Sequence, residues 1–182
     1  MPDEKPGSVL SENQHPRLAL AALGAFPLFA VGTTARAASI EENGRQIAAC
    51  LEASAKISSV PRGVLLVLLY VEAGRPGMVS PNGNGTADLG PMQVNTTWVD
   101  RIARRWHSTP AQTYAALRDS SCANIEAGAW ILGQAMHEAH GDLWQAVAFY
   151  HSHTPRHGNA YLRRFYDIAL TMMARNRRGD RS

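Results

Sequence analysis

Several residue patterns that identify a reaction on their own are missing from this sequence. It has no Gly-x-Ser-x-Gly motif, no phosphate-binding glycine loop and no His-Glu-x-x-His pair. These absences remove the usual signatures of serine hydrolases, P-loop nucleotide enzymes and zinc proteases. No stretch interleaves basic with aromatic residues, so nucleic acid is not an expected partner.

Charge is sparse and nearly balanced. Only 18% of the 182 residues are charged, and the formal net charge is +3. Such an excess suits an anionic polymer but is ordinary for soluble proteins as well. With 45% hydrophobic residues and no internal repeat, the chain has the material for one globular domain.

An apolar stretch near the N-terminus, residues 18–31, is too short to span a bilayer comfortably. Ala35 and Ala37 then supply small residues at the two positions that a signal peptidase reads. We therefore predict a secretory signal peptide over residues 1–37, a mature domain over residues 38–182, and a periplasmic location. An uncleaved membrane anchor remains the alternative.

The rest of the chain shows helical periodicity and few strand signals. Apolar spacing, capping residues and breakers predict helices over residues 44–57, 61–72, 96–106, 110–118, 121–140, 143–151 and 161–175. The expected fold class is all-α, with six to seven helices around a buried central helix. A glycine-rich loop follows the second helix, and a short β-hairpin within residues 79–91 is the only strand structure that the sequence predicts.

The helix over residues 61–72 is the most informative stretch. Its run from Val64 to Val71 is apolar on every face, so this helix is expected to be buried all round. Glu72 ends it. Desolvation disfavours an ionised carboxylate, so Glu72 is expected to hold its proton near neutral pH, as a general acid must. A glutamate capping an exposed helix end is the alternative.

The motifs around Glu72 resemble those of a known family. Glu72 followed by Gly90-Pro91-Met92-Gln93 resembles the motif pair of the soluble lytic transglycosylases. Residues 84–95 also resemble the matching loop of animal-type lysozymes. Residues 122–132 and 148–151 are similar to the next helix of the family and to its alanine-any-tyrosine-asparagine motif. The resemblance covers roughly residues 45–170 and is closest to small transglycosylases that accompany conjugation, type IV and type III secretion machines.

This resemblance implies a lysozyme-like fold and an enzyme that cleaves peptidoglycan without a cofactor. The bond cut would be the β-1,4 linkage between N-acetylmuramic acid and N-acetylglucosamine, leaving a 1,6-anhydro product. Glycan strands would be the partner, together with components of a secretion or conjugation complex. A lysozyme-type hydrolase and a non-catalytic wall-binding assembly subunit remain alternatives. We expect no metal site, because His137 and His140 flank Glu138 at the wrong spacing for zinc.

The resemblance also implies roles for individual residues. Glu72 would be the catalytic residue. Asp88 and Tyr150 would be auxiliary, with the Tyr150 hydroxyl directed at the catalytic carboxylate. The residues expected to line the cleft and bind substrate are Met92, Gln93, Asn95 and His151. Asp88 could serve as the second carboxylate of a lysozyme-type site or, slightly favoured, as an Asx-turn residue that shapes the glycine loop.

Three positions depart from the family pattern. Ala73 stands where the family often has serine, Pro91 replaces an apolar residue of the second motif, and His151 replaces asparagine. Each change bears on substrate contacts more than on the acid itself.

The chain has only two cysteines, Cys50 and Cys122. Export and the family resemblance both favour a disulfide between them, which would tie the first mature helix to the helix that begins near Cys122. Two buried thiols are the alternative.

Overall fold

The structure, a computed structural model, describes residues 31–179, with side-chain environments for residues 41–178. This part of the chain is mainly helical, which confirms the predicted fold class. The helices are α1 Val31–Ser58, α2 Arg62–Glu72, α3 Val99–Trp106, α4 Pro110–Asp119, α5 Ser121–Glu138, α6 Leu143–His151 and α7 Pro155–Gly179, with a 3-10 helix at Thr96–Trp98. The strands are β1 Val79–Pro81, β2 Ala87–Leu89 and β3 Val94–Asn95.

The enclosed central helix is α5, and the expectation that α2 is buried all round is wrong. In α2, Leu65, Leu68 and Val71 are fully buried, but Tyr70 is 56% exposed. An apolar composition on every face does not by itself provide a neighbour for every face. By contrast, α5 packs against α1, α2, α4, α6 and β3. Its small residues let neighbours approach, since a Cβ on Gly128 would meet the Met92 sulfur at 2.7 Å.

Most predicted helices are found, and two begin earlier than expected. The helix α6 and its Asp142 cap are confirmed, because the Asp142 carboxylate accepts from the backbone N–H groups of the first turn. The last helix begins at Pro155 rather than residue 161, since proline is well suited to the first turn of a helix. Likewise α1 begins at Val31 rather than residue 44, and the added segment includes the helix formers Ala35, Ala37 and Ala38.

The predicted hairpin within residues 79–91 is present and gains a third strand. The order is β1-β2-β3 and both pairs are antiparallel. The register places Ser80 opposite Asp88 and Asp88 opposite Asn95. Three polar side chains therefore lie side by side across the sheet.

A disulfide joins Cys50 of α1 to Cys122 of α5, with their Cα atoms 5.3 Å apart. This confirms the predicted pairing. Residues 1–30 of the predicted signal peptide lie outside the described residues, and none of the helices between residues 31 and 179 has the length and hydropathy that a bilayer crossing requires.

Candidate active site

Glu72 lies at the last position of α2 and faces a cleft of about 750 Å³. The helix stops there because Ala73 adopts a left-handed conformation, with φ at 52°. Besides α2, the cleft is lined by residues of β2, β3, the 3-10 helix, α3, α5, α6 and α7. Asp88, Gln93, Asn95, Tyr150 and His151 all line it with Glu72.

Burial dominates the electrostatics of Glu72. Desolvation raises the pKa of this carboxyl from its usual 4.5 to about 7. The hydrogen bond from Tyr161 and the positive charge of Arg164 act in the opposite direction, while the negative charge of Asp88 adds to the increase. Near neutral pH, a substantial fraction of Glu72 therefore carries a transferable proton, as expected from its apolar helix.

The residue that contacts Glu72 most directly is Tyr161, which the sequence did not indicate as a site residue. Its hydroxyl donates to Oε1 of Glu72 at 2.5 Å, and its side chain is 5% exposed. Burial raises the pKa of Tyr161, so its hydroxyl remains a donor. The only available signal was a second tyrosine shortly after Tyr150, at the start of an apolar helical stripe.

Tyr150 does not direct its hydroxyl at Glu72, so that expectation is wrong. The hydroxyl donates to the backbone carbonyl of Met92 at 3.1 Å. Burial raises the pKa of the Tyr150 hydroxyl far above its usual value, so it too stays protonated. Tyr150 therefore fixes the motif loop behind the cleft.

Met92 was expected to line the cleft, and this is also wrong. Its side chain is fully buried against α5, so it cannot contact a substrate. Its backbone is held on both sides, because the Met92 N–H donates to Oδ1 of Asn124 at 2.7 Å and its carbonyl accepts from Tyr150. Met92 supports the loop from within the core.

Asn124 is a second important residue that sequence reasoning missed. It is fully buried on α5, and its amide group donates to the carbonyls of Leu89 and Leu117 at 2.7 and 2.8 Å. With the bond from Met92, this one side chain links β2, α4 and the motif loop to the central helix. A single buried asparagine gives no periodic signal in a sequence.

Gln93 and Asn95 face the cleft as predicted, and both are held by neighbours. Gln93 donates to the Gly90 carbonyl at 2.8 Å and accepts from Ser80 at 2.6 Å. Asn95 donates to Oδ1 of Asp88 at 2.7 Å. These contacts orient the polar groups before any ligand arrives.

Asp88 is a strand residue of β2, so the Asx-turn interpretation is wrong for it. The turn before β2 is made instead by Asn84, whose side chain accepts from the backbone N–H of Thr86 at 3.1 Å. Asp88 therefore presents a carboxylate to the same cleft as Glu72, from a rigid position.

With this geometry in place, comparison with known families is decisive. The chain matches the model of the transglycosylase SLT domain over residues 49–167. It belongs to this family. A comparison with curated proteins gave no match. Members of the SLT family are lytic transglycosylases, a class of lyases, so the match supports lytic transglycosylase activity on peptidoglycan in general.

Two histidines of this SLT domain, His151 and His153, line the cleft. The His151 ring stacks on Tyr161 with centroids 4.6 Å apart and planes 5° apart. Burial, together with the nearby His157, lowers the pKa of His151. His153 pairs with Glu138 at 2.8 Å. Between residues 41 and 178, no group of three His, Cys, Asp or Glu side chains could hold a metal ion.

Proposed function

We propose that Glu72 is the general acid and base of a reaction that cuts the β-1,4 bond between N-acetylmuramic acid and N-acetylglucosamine. The observation that carries this proposal is a buried carboxyl with a pKa of about 7 that lines a cleft of about 750 Å³. Tyr161 donates to Oε1, so the transferable proton is assigned to Oε2. Gln93, Asn95 and His151 line the same cleft and would contact the sugar acetamido and hydroxyl groups.

The reaction needs no second protein carboxylate and no water. Glu72 first gives its proton to the glycosidic oxygen, and the bond from C1 of N-acetylmuramic acid to that oxygen breaks. The Glu72 carboxylate then accepts the proton of the C6 hydroxyl, and the C6 oxygen bonds to C1. The products are a free N-acetylglucosamine hydroxyl and a 1,6-anhydro ring, and Glu72 is protonated again.

A lysozyme-type hydrolase is the second candidate, because Asp88 shares the cleft and its charge raises the pKa of Glu72. In that mechanism Asp88 would attack or stabilise the sugar carbon, and water would complete the reaction. The bond between Asp88 and Asn95 supports a positioning role instead, since it occupies one carboxylate oxygen.

The cellular context is proposed from the sequence. The signal-like segment over residues 1–37 supports export to the periplasm, and the disulfide fits an oxidising compartment. Resemblance to small secretion-associated enzymes supports local opening of the wall for a secretion or conjugation complex. A non-catalytic wall-binding subunit would not need a carboxyl with a raised pKa.

Digestion of purified sacculi tests the proposal. The wild-type protein should release muropeptides that mass spectrometry identifies as 1,6-anhydro species. Glu72→Gln keeps the side-chain size and removes the transferable proton, so release should stop while the circular dichroism spectrum stays unchanged. Reducing ends in the wild-type products would indicate a hydrolase, and comparable release by the variant would show that Glu72 is not the acid.

A further inference from the structure

Arg101 of α3 lines the same cleft as Glu72 and rests on two tryptophans. Its guanidinium carbon lies 4.7 Å from the centre of the Trp98 ring and 5.5 Å from that of Trp130. The two indoles meet edge to face, with centroids 5.8 Å apart. Stacking of this kind restrains a guanidinium without using its hydrogen-bond donors.

Arg101 has no acidic partner among residues 41–178, whereas its neighbour on the same helix does. Arg105 donates to Oε1 of Glu126 through Nη2 at 2.9 Å and through Nε at 3.2 Å. The carboxylates inside the cleft do not supply a partner either: Glu72 is bonded to Tyr161 and Asp88 to Asn95. The guanidinium of Arg101 is therefore restrained by the two indoles, at a position that lines the cleft.

We infer that Arg101 forms a carboxylate-binding subsite for an acidic substituent of the glycan strand. The inference rests on the proposed function, because it requires a glycan strand to lie in the cleft. A guanidinium binds a carboxylate through two parallel hydrogen bonds while its face remains stacked on an aromatic ring. Unsubstituted N-acetylglucosamine units carry no charge and would gain nothing from Arg101.

The carboxylate can come from two sources on such a strand. Peptide stems carry free carboxylates, and in these strands the lactyl group of N-acetylmuramic acid is bound as an amide. When the stems are removed, the lactyl group itself becomes a free carboxylate. Three ligands of equal sugar length separate the sources: a stem-bearing fragment, the same fragment after amidase treatment, and an N-acetylglucosamine oligomer.

The test measures binding by isothermal titration calorimetry in a Glu72→Gln background, where the ligands are not consumed. Arg101→Gln keeps a planar group over the indoles and removes the charge. The matched control is Arg104→Gln, which removes the same charge from an exposed position on α3 that does not line the cleft. Arg101→Gln should weaken binding of a carboxylate-bearing ligand about ten-fold or more and leave the neutral oligomer unchanged. The ligand that loses affinity identifies the source.

Equal weakening for the neutral oligomer would overturn the proposal, because Arg101 would then only shape the cleft. An equal effect of Arg104→Gln would also overturn it, because the effect would be one of net charge. If Arg101→Gln fails to fold, Arg101→Lys gives the decision: it keeps the charge but loses the planar fork, so unchanged affinity for the carboxylate ligands would contradict the subsite.

These results are independent of turnover. Selective loss of carboxylate binding in a protein whose wild type releases no muropeptides would reject the proposed function and keep the subsite. Normal release of muropeptides without a selective loss of carboxylate binding would reject the subsite and keep the proposed function.

Discussion

The hydroxyl of Tyr161 donates a 2.5 Å hydrogen bond to Oε1 of Glu72 across 89 positions of sequence. The contact joins the second turn of α7 to the last residue of α2. It stabilises the ionised form of Glu72, while burial stabilises the neutral form, and burial is the larger effect. Together with the charges of Arg164 and Asp88, these effects set a pKa of about 7, and the hydrogen bond can be removed by substitution.

Tyr161→Phe keeps the ring and its stacking on His151 but deletes the donor. Since that hydrogen bond lowers the pKa of Glu72, its removal should raise the pKa further. Wild-type activity should fall as the pH rises above about 7, where Glu72 loses its proton. In the variant this decline should move to higher pH, and the maximal rate should drop about ten-fold because Glu72 is less well oriented. A pH–rate profile of sacculus digestion checks both effects, and a shift to lower pH would contradict the assignment.

Glu72→Gln should change the pH dependence of stability. The pKa of Glu72 is 4.5 when exposed and about 7 when folded, so the folded state binds this proton more tightly. Below pH 4.5 the carboxyl therefore does not lower the free energy of unfolding. As the pH rises from 4.5 to 7, it destabilises the fold progressively. The variant should match wild type at about pH 4 and be more stable by at most roughly 3 kcal/mol at about pH 8. Urea unfolding at the two pH values measures this, and a constant difference would contradict the raised pKa.

Asp88→Asn separates the lyase from the hydrolase. An amide oxygen at this position can still accept from Asn95, so the sheet should be preserved. If Glu72 works alone, the variant should keep a measurable fraction of activity and release 1,6-anhydro products. A folded variant as inactive as Glu72→Gln would identify Asp88 as the second carboxylate of a hydrolase.

Asn124→Ala tests the buried amide that ties the motif loop to α5. It would leave the Met92 N–H and the Leu89 and Leu117 carbonyls without their partner inside the core. The free energy of unfolding should fall by roughly 3 kcal/mol or more. Asn159→Ala is the control, because Asn159 is exposed and its side chain has no hydrogen-bond partner among residues 41–178. Denaturant unfolding measures both variants. If Asn124→Ala lowered the free energy of unfolding as little as Asn159→Ala does, the structural role of Asn124 would be contradicted.

Reduction of the Cys50–Cys122 disulfide should destabilise the fold. The bond closes a loop with a sequence separation of 72, for which chain entropy gives roughly 4 kcal/mol. Thermal melts of wild type with and without reductant measure the change. The Cys50→Ala/Cys122→Ala double variant is the control and should show no response to reductant; a similar response there would point to another cause.

The local features of the fold were predictable because each depends on nearby residues. Asp142 before an apolar run predicted α6 at the bounds it has, and the turn residues after Glu72 predicted the hairpin. The raised pKa of Glu72 followed from its position at the end of an apolar helix. The cysteine pair also followed, although from export and resemblance rather than from a local pattern.

Tertiary structure alone decided which side chain meets which. Met92 and Tyr150 both belong to recognisable motifs, yet one is fully buried and the other bonds to a backbone carbonyl. The partner of Glu72 is Tyr161 instead, because α7 packs against α2. The sequence by itself determined the helices, the acidic residue and its apolar setting, since periodicity and desolvation act locally. The direction of each hydroxyl and amide depends on the packing of distant helices, and only the folded chain brings those groups within hydrogen-bond distance.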